Sequence, residues 1–119
     1  MTPNEYQEKA YLFAKYKHAD YAVLALTEEV GEVMGKLAKF SRKNDMTLSG
    51  SIKAAARPVG LAPMHLRDDM EKELGDVLWQ FNAVCTELGF TLEQIMQSNL
   101  EKLTGREERG TIVGNGDNR

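Results

Sequence analysis

Cysteine is almost absent from this chain. Cys85 stands alone among 119 residues, so no internal disulfide can form, a usage that fits a reducing compartment. Long apolar runs are missing as well: nothing approaches the roughly 20 consecutive apolar residues of a membrane helix, so no membrane partner is expected. No basic segment followed by an apolar stretch resembles a secretion signal, and the expected location is the cytoplasm. Positive charge is in the minority, 15 Lys and Arg against 18 Asp and Glu for a net charge of −3. That balance argues against a coat for a nucleic-acid polymer, whose phosphates demand a basic surface. Neither His18 nor His65 has a His or Cys partner at a zinc-like spacing, and both read as surface residues. The Gly-rich end of the chain lacks the Gly-x-x-x-x-Gly-Lys-Ser/Thr pattern of a phosphate-binding loop. There is no internal repeat and no alternation of strands with helices.

What is present is helical periodicity, and the expected fold class is all-α, one domain over residues 1–119. Tyr6, Ala10, Phe13, Ala14 and Tyr16 predict a first helix from Pro3 to about Lys17, with Pro3 in its first turn. Asp20 can cap a second helix whose stripe is Ala22, Leu26, Val30, Val33, Leu37 and Phe40. Residues 42–63, holding Gly50, Pro58, Gly60 and Pro63, read as a long connection with at most a helical turn at Ile52–Ala56. A third helix from about Met64 to Leu88 carries Leu66, Met70, Leu74, Val77, Leu78, Phe81, Val84 and Cys85, and Gly89 ends it. Cys85 within that face reads as a buried, inert thiol. Thr91 with Gln94 forms a capping-box signature for a fourth helix through Leu92, Ile95, Met96, Leu100 and Leu103 to Gly105. Residues 105–119 read as an irregular tail.

The chemistry lies in two short groups of acids, Glu28-Glu29-Val-Gly-Glu32 and Glu73-Leu-Gly-Asp76. Spacings of three and four place the acids of each group on one helix face. Taken singly, each group reads as a solvated acidic face, since Glu is a good helix former. Both, however, are embedded among core-type residues: Leu26, Val30, Val33 and Leu37 around the first, Leu74, Val77, Leu78, Trp79 and Phe81 around the second. Two such faces packed together gather four or five negative charges, which a fold tolerates only with a neutralising cation. Mg²⁺ or Mn²⁺ suits hard oxygen ligands and bridges carboxylates to phosphates. Gly31 and Gly75, each costing roughly 1 kcal/mol of helix propensity relative to Ala, predict a close helix approach at this seam. Lys36 reads as the i,i+4 partner of Glu32, or as a residue that reaches a phosphate.

These motifs, with the Trp79 that follows the second, resemble the paired E-E-x-x-E and E-x-x-D motifs of the MazG-like, all-α nucleoside triphosphate pyrophosphohydrolases. Asn99-Leu-Glu-Lys102-Leu103, Arg106, Arg109-Gly110 and the closing Gly114-Asn-Gly116-Asp117-Asn-Arg119 resemble the final helix and tail of the short members. The resemblance implies a four-helix unit completed by homo-oligomerisation, as a homodimer or homotetramer. It implies that Glu29, Glu32, Glu73 and Asp76 hold Mg²⁺, with Mn²⁺ as a substitute. Glu28, Glu29 and Glu32 would form the catalytic group, Glu28 orienting or deprotonating the attacking water or supporting the ligands from behind. The reaction implied is hydrolysis of a nucleoside triphosphate between the α and β phosphates, giving monophosphate and pyrophosphate. Lys102, Arg106 and Arg109 would clamp phosphate oxygens, with Asn99 a hydrogen-bonding neighbour; the plainer reading is a basic helix end facing the dipole. Trp79 can stack on a nucleobase or pack in the core. The connection over residues 42–63 is longer than usual for the family, so substrate choice, through Lys53 and Arg57, or a subunit interface belongs there. Two alternatives stay open: a dUTPase-like or phosphoribosyl-ATP pyrophosphatase-like enzyme with the same acids, and a noncatalytic helical interaction module.

Overall fold

The computed structural model describes all 119 residues and contains five α-helices and no strand: α1 Pro3–Tyr11, α2 Asp20–Lys43, α3 Leu48–Ala56, α4 Leu61–Glu87 and α5 Leu92–Glu108. The all-α class stands, and the count rises from four to five because residues 48–56 form a helix of nine residues rather than a single turn. Thr47 starts that helix by accepting the Gly50 N–H at 3.0 Å. The Ser41 and Ser51 hydroxyls, 2.7 Å apart, tie it to α2, and Arg67 donates to the carbonyls of Ala55 and Ala56, tying its end to α4.

The first helix is shorter than its periodicity predicts, ending at Tyr11 instead of about Lys17. The chain turns there so that the hydroxyls of Tyr11 and Tyr16 both donate to Glu87 Oε1, at 2.8 and 2.7 Å. Asp20 is the first residue of α2 rather than its cap; Ala19 holds the cap position without a side-chain bond. The acid therefore acts only through the positive end of the helix dipole. The fourth helix starts at Leu61, three residues before Met64, because Pro63 fits a first turn whose N–H groups have no helical partner anyway. At its other end Gly89, φ 77°, reverses the chain. The Phe90 N–H reaches Cys85 O at 2.8 Å and the Gly89 N–H reaches Thr86 O at 3.1 Å, the paired bonds of a Schellman stop. Thr91 and Gln94 then close the capping box of α5, which runs past Gly105 to Glu108 before Gly110 ends it in the same way.

The α2–α4 pair forms the spine, α3 lies across both, and α1 bridges α4 and α5. Gln7 is the staple of that bridge. Its amide donates to Thr86 Oγ1 and Phe90 O and accepts from the Leu92 N–H, at 3.0, 2.9 and 2.9 Å. The buried apolar set is small, with Ala22, Ala25 and Leu37 on α2, Leu66, Ala83 and Cys85 on α4, and Ala10 and Leu92 beside them. Much of the expected apolar stripe faces outward, including Val30, Leu74, Leu78, Met96 and Leu100. The protomer is accordingly open. Its accessible surface is 8786 Å², against about 6,400 Å² for a compact chain of this mass. Its radius of gyration is 17.4 Å, against about 13.5 Å.

Candidate metal centre

The α2–α4 spine joins the two acidic motifs. Glu29 and Glu32 lie one turn apart on α2, and Glu73 faces them from α4 with only 9 % of its surface exposed. One carboxylate oxygen from each of Glu29, Glu32 and Glu73 falls within 4.8 Å of the other two. Asp76 lies outside this tight triplet, yet its charge reaches it. Burial first, then Asp76, Glu32, Glu28 and Glu73 in that order, raise the Glu29 carboxyl above its ordinary value. Glu28 itself is exposed, and its charge reaches Glu29.

Crowded carboxylates of this kind disfavour one another's charged form unless a cation intervenes. The chain supplies one cation at the edge: Lys36 Nζ lies 3.5 Å from Glu73 Oε1 and 3.5 Å from Asp69 Oδ2. Glu29, Glu32 and Asp76 take part in no salt bridge. Three hard oxygen donors on two rigid helices, under-neutralised and partly covered, are a fitting donor set for a divalent cation. The convergence of these oxygens, with Glu29 and Glu32 left without a cationic partner, is the observation that tests the fit, and the raised Glu29 carboxyl agrees with it.

The glycines beside the acids do not mediate the helix contact expected of them. A Cβ on Gly31 or Gly75 would meet nothing within 4 Å, so both face open space and the approach of α2 to α4 is carried by side chains.

The basic residues of α5 are placed elsewhere. Arg106 is buried, and its guanidinium donates to Gly116 O, Asp117 O and Asp117 Oδ1. Lys102 pairs with the same Asp117 at 3.5 Å, and Arg109 donates to Arg119 O at 2.8 Å. Asn99 is exposed. Within one protomer α5 packs on α1, and no hydrogen bond or ion pair joins its basic end to the acids. The Trp79 indole N–H donates to Ala10 O at 3.0 Å, so its polar edge holds α1 to α4. His18 and His65 are exposed, and Cys85 is buried, its thiol pushed up by burial. Lys53 is exposed on α3.

Two neighbours of the acids escape a sequence reading. Tyr6 reads as an apolar member of the first helix, but its phenol is raised by burial and by the charge of Asp76, which places it beside the second motif. Asp69 lies one turn before Glu73, and that spacing is the signal that could have found it.

Five helices with paired acids on a central antiparallel pair define an all-α, carboxylate-centred protein. The sequence profile of the MazG nucleotide pyrophosphohydrolase domain matches residues 18–111, most of the chain, and the chain belongs to that family. It is also 35% identical over 99 residues to the Gene 37 protein of Mycobacterium phage L5, a match covering 83% of this chain and 75% of that protein. No solved structure matches it.

Proposed function

We propose that this protein hydrolyses (deoxy)nucleoside triphosphates between the α and β phosphates, with Mg²⁺ held by Glu29, Glu32, Glu73 and Asp76. The observation that carries the reading is the convergence of Glu29, Glu32 and Glu73 within 4.8 Å on two packed helices; family membership supports the reaction class. Mg²⁺, or Mn²⁺ in its place, would polarise the α-phosphate and offset charge on the departing group. The water oxygen forms a bond to the α-phosphorus. The bond from that phosphorus to the α–β bridging oxygen breaks, and its electron pair leaves on pyrophosphate. A carboxylate takes the water proton. Glu28, exposed beside the ligand set and not itself one of the ligands, is suited to that role and to orienting the water.

The open protomer supports self-association as a homodimer or homotetramer. Its surface exceeds that of a compact chain by about 2,300 Å², within the range that stable interfaces bury. In such an assembly the exposed Asn99, Lys102 and Arg109 of α5 would clamp phosphates in the site of another copy, while Arg106, expected in the same clamp, is buried and held by Asp117.

The test is release of monophosphate and pyrophosphate from a panel of ribo- and deoxyribonucleoside triphosphates with Mg²⁺. Products of α–β cleavage that vanish in Glu32→Gln, in Glu73→Gln and with EDTA are expected. No turnover of any nucleotide by folded, Mg²⁺-supplied protein refutes the reading.

A further inference from the structure

The stripe of α2 that carries Glu29 and Glu32 continues as Lys36, Lys39 and Lys43, at successive spacings of three, four, three and four. Such spacings keep all five residues on one face of a single helix. Acidic for its first turn, this face is basic for the next two. The basic part borders a cavity of about 390 Å³ between the end of α2 and the start of α4, lined by Lys36, Lys39, Lys43, His65 and Asp69 with Phe40 as an apolar wall. An adjoining groove with Gly31, Glu32, Gly35, Lys36 and Lys39 on its walls leads from that cavity back to the acids.

Three ammonium groups there face one carboxylate, Asp69, which is already paired with Lys36. The surface pairing that normally neutralises lysines is therefore missing for Lys39 and Lys43, neither of which takes part in a salt bridge. The other wall adds positive character. Ala62 of the first turn of α4 lines the same cavity, that turn contains no acid, and its cap residue, Gly60, makes no side-chain bond to the free N–H groups. A plain role for Lys43, complementing the negative end of α2, accounts for neither Lys39 nor the uncapped start of α4.

We infer that this cavity is a binding site for a diphosphate group. Resting on the α–β hydrolysis reading above, the assignment is to the β and γ phosphates of the substrate, which become the leaving pyrophosphate. From Glu32 to Lys36 is about 6 Å along the helix axis, so a triphosphate whose α-phosphate sits at the acids runs directly onto the lysines. Lys36, bridging Asp69 and Glu73, stands at the junction and can turn toward an arriving phosphate. Lys39 and Lys43 hold the two phosphates farther from the site of attack, so they favour nucleoside triphosphates over monophosphates and set how long the pyrophosphate stays.

The test titrates inorganic pyrophosphate calorimetrically into the full-length protein, without and with Mg²⁺, beside the double variants Lys39→Gln/Lys43→Gln and Lys39→Arg/Lys43→Arg, with sulfate as a second anion. Both lysines are exposed, and unchanged helical circular dichroism establishes that each variant is folded. The expected result is pyrophosphate binding by the wild type, weakened roughly tenfold per ammonium removed in the Gln pair and retained in the Arg pair. Sulfate should bind far more weakly. In turnover the Gln pair should raise KM for triphosphates by a similar factor. Pyrophosphate affinity within about twofold of wild type in the Gln pair, or sulfate binding as tightly as pyrophosphate, overturns the inference. Loss of pyrophosphate binding in the Gln pair, in a protein that turns over no nucleotide, upholds the diphosphate site while removing the hydrolysis reading.

Discussion

Arg106 closes the C-terminal tail onto α5 by holding Asp117: the guanidinium is 3.0 Å from Asp117 Oδ1, buried at its own end while the carboxylate at the other end remains largely in solvent. Lys102 first and then Arg106 hold the Asp117 carboxyl below its ordinary value. The sign follows directly. A depressed carboxylate adds its contribution above the unfolded value, about 4, and loses it as pH falls through the lower folded value. The Thr111 amide, bonded to Arg106 O, should therefore lose hydrogen-exchange protection below about pH 4 and already at neutral pH in Asp117→Asn. Arg106→Ala should cost about 1–2 kcal/mol, since the carbonyls it caps are replaced by weaker contacts with water, measured as a lower thermal midpoint.

The crowded acids predict opposite effects of one substitution with and without metal. Glu29→Gln should raise the thermal midpoint of metal-free protein, because it removes the charge most opposed by its neighbours. The same variant should lose most of the midpoint rise that Mg²⁺ gives wild type, about 2.7 kcal/mol of stabilisation at one hundred times the dissociation constant. Differential scanning calorimetry with EDTA and then with excess Mg²⁺ reads both. Equal Mg²⁺ shifts in the two proteins would remove Glu29 from the ligand set.

Gln7 predicts how α1 is retained. Gln7→Ala would leave the Leu92 N–H and Phe90 carbonyl without their side-chain partner. The loss should be about 2–4 kcal/mol, seen in denaturant melts at a fixed protein concentration. Trp79→Phe, which keeps a ring but not the bond to Ala10 O, should cost about 1 kcal/mol.

The outward apolar residues of α4 predict association. Light scattering across protein concentrations should give a mass above that of one chain for the wild type. Leu78→Glu, a substitution at a side chain exposed in the protomer, should shift it toward the monomer while preserving helicity. A wild-type monomer at all concentrations would refute the assembly.

Legibility of the fold followed how local each signal is. Gly89, Thr91 and Gln94 mark the α4–α5 turn because a positive φ and a capping box are set by residues within a few positions. The helix at Leu48–Ala56 is hidden by Gly50 and its small neighbours, whose weak propensity is overridden by packing across α2 and α4. The shortened first helix is invisible for a similar reason, since its end is decided by two phenols reaching Glu87, more than 70 positions away. At the site, the acids declare themselves through spacing and apolar surroundings. The placement of Arg106 does not, because an arginine near a helix end looks the same whether it faces a ligand or its own tail.

The bare backbone at Gly31 and Gly75 carries a further consequence, for mutational tolerance. With open space where each Cβ would stand, alanine at either position should make the isolated protomer more stable by about 1 kcal/mol. A glycine that costs its own fold this much is held by something outside that fold. Any deep mutational profile that penalises alanine at these two sites would map where a second body, whether another chain or a nucleotide, comes closest to the peptide backbone of the acidic helices.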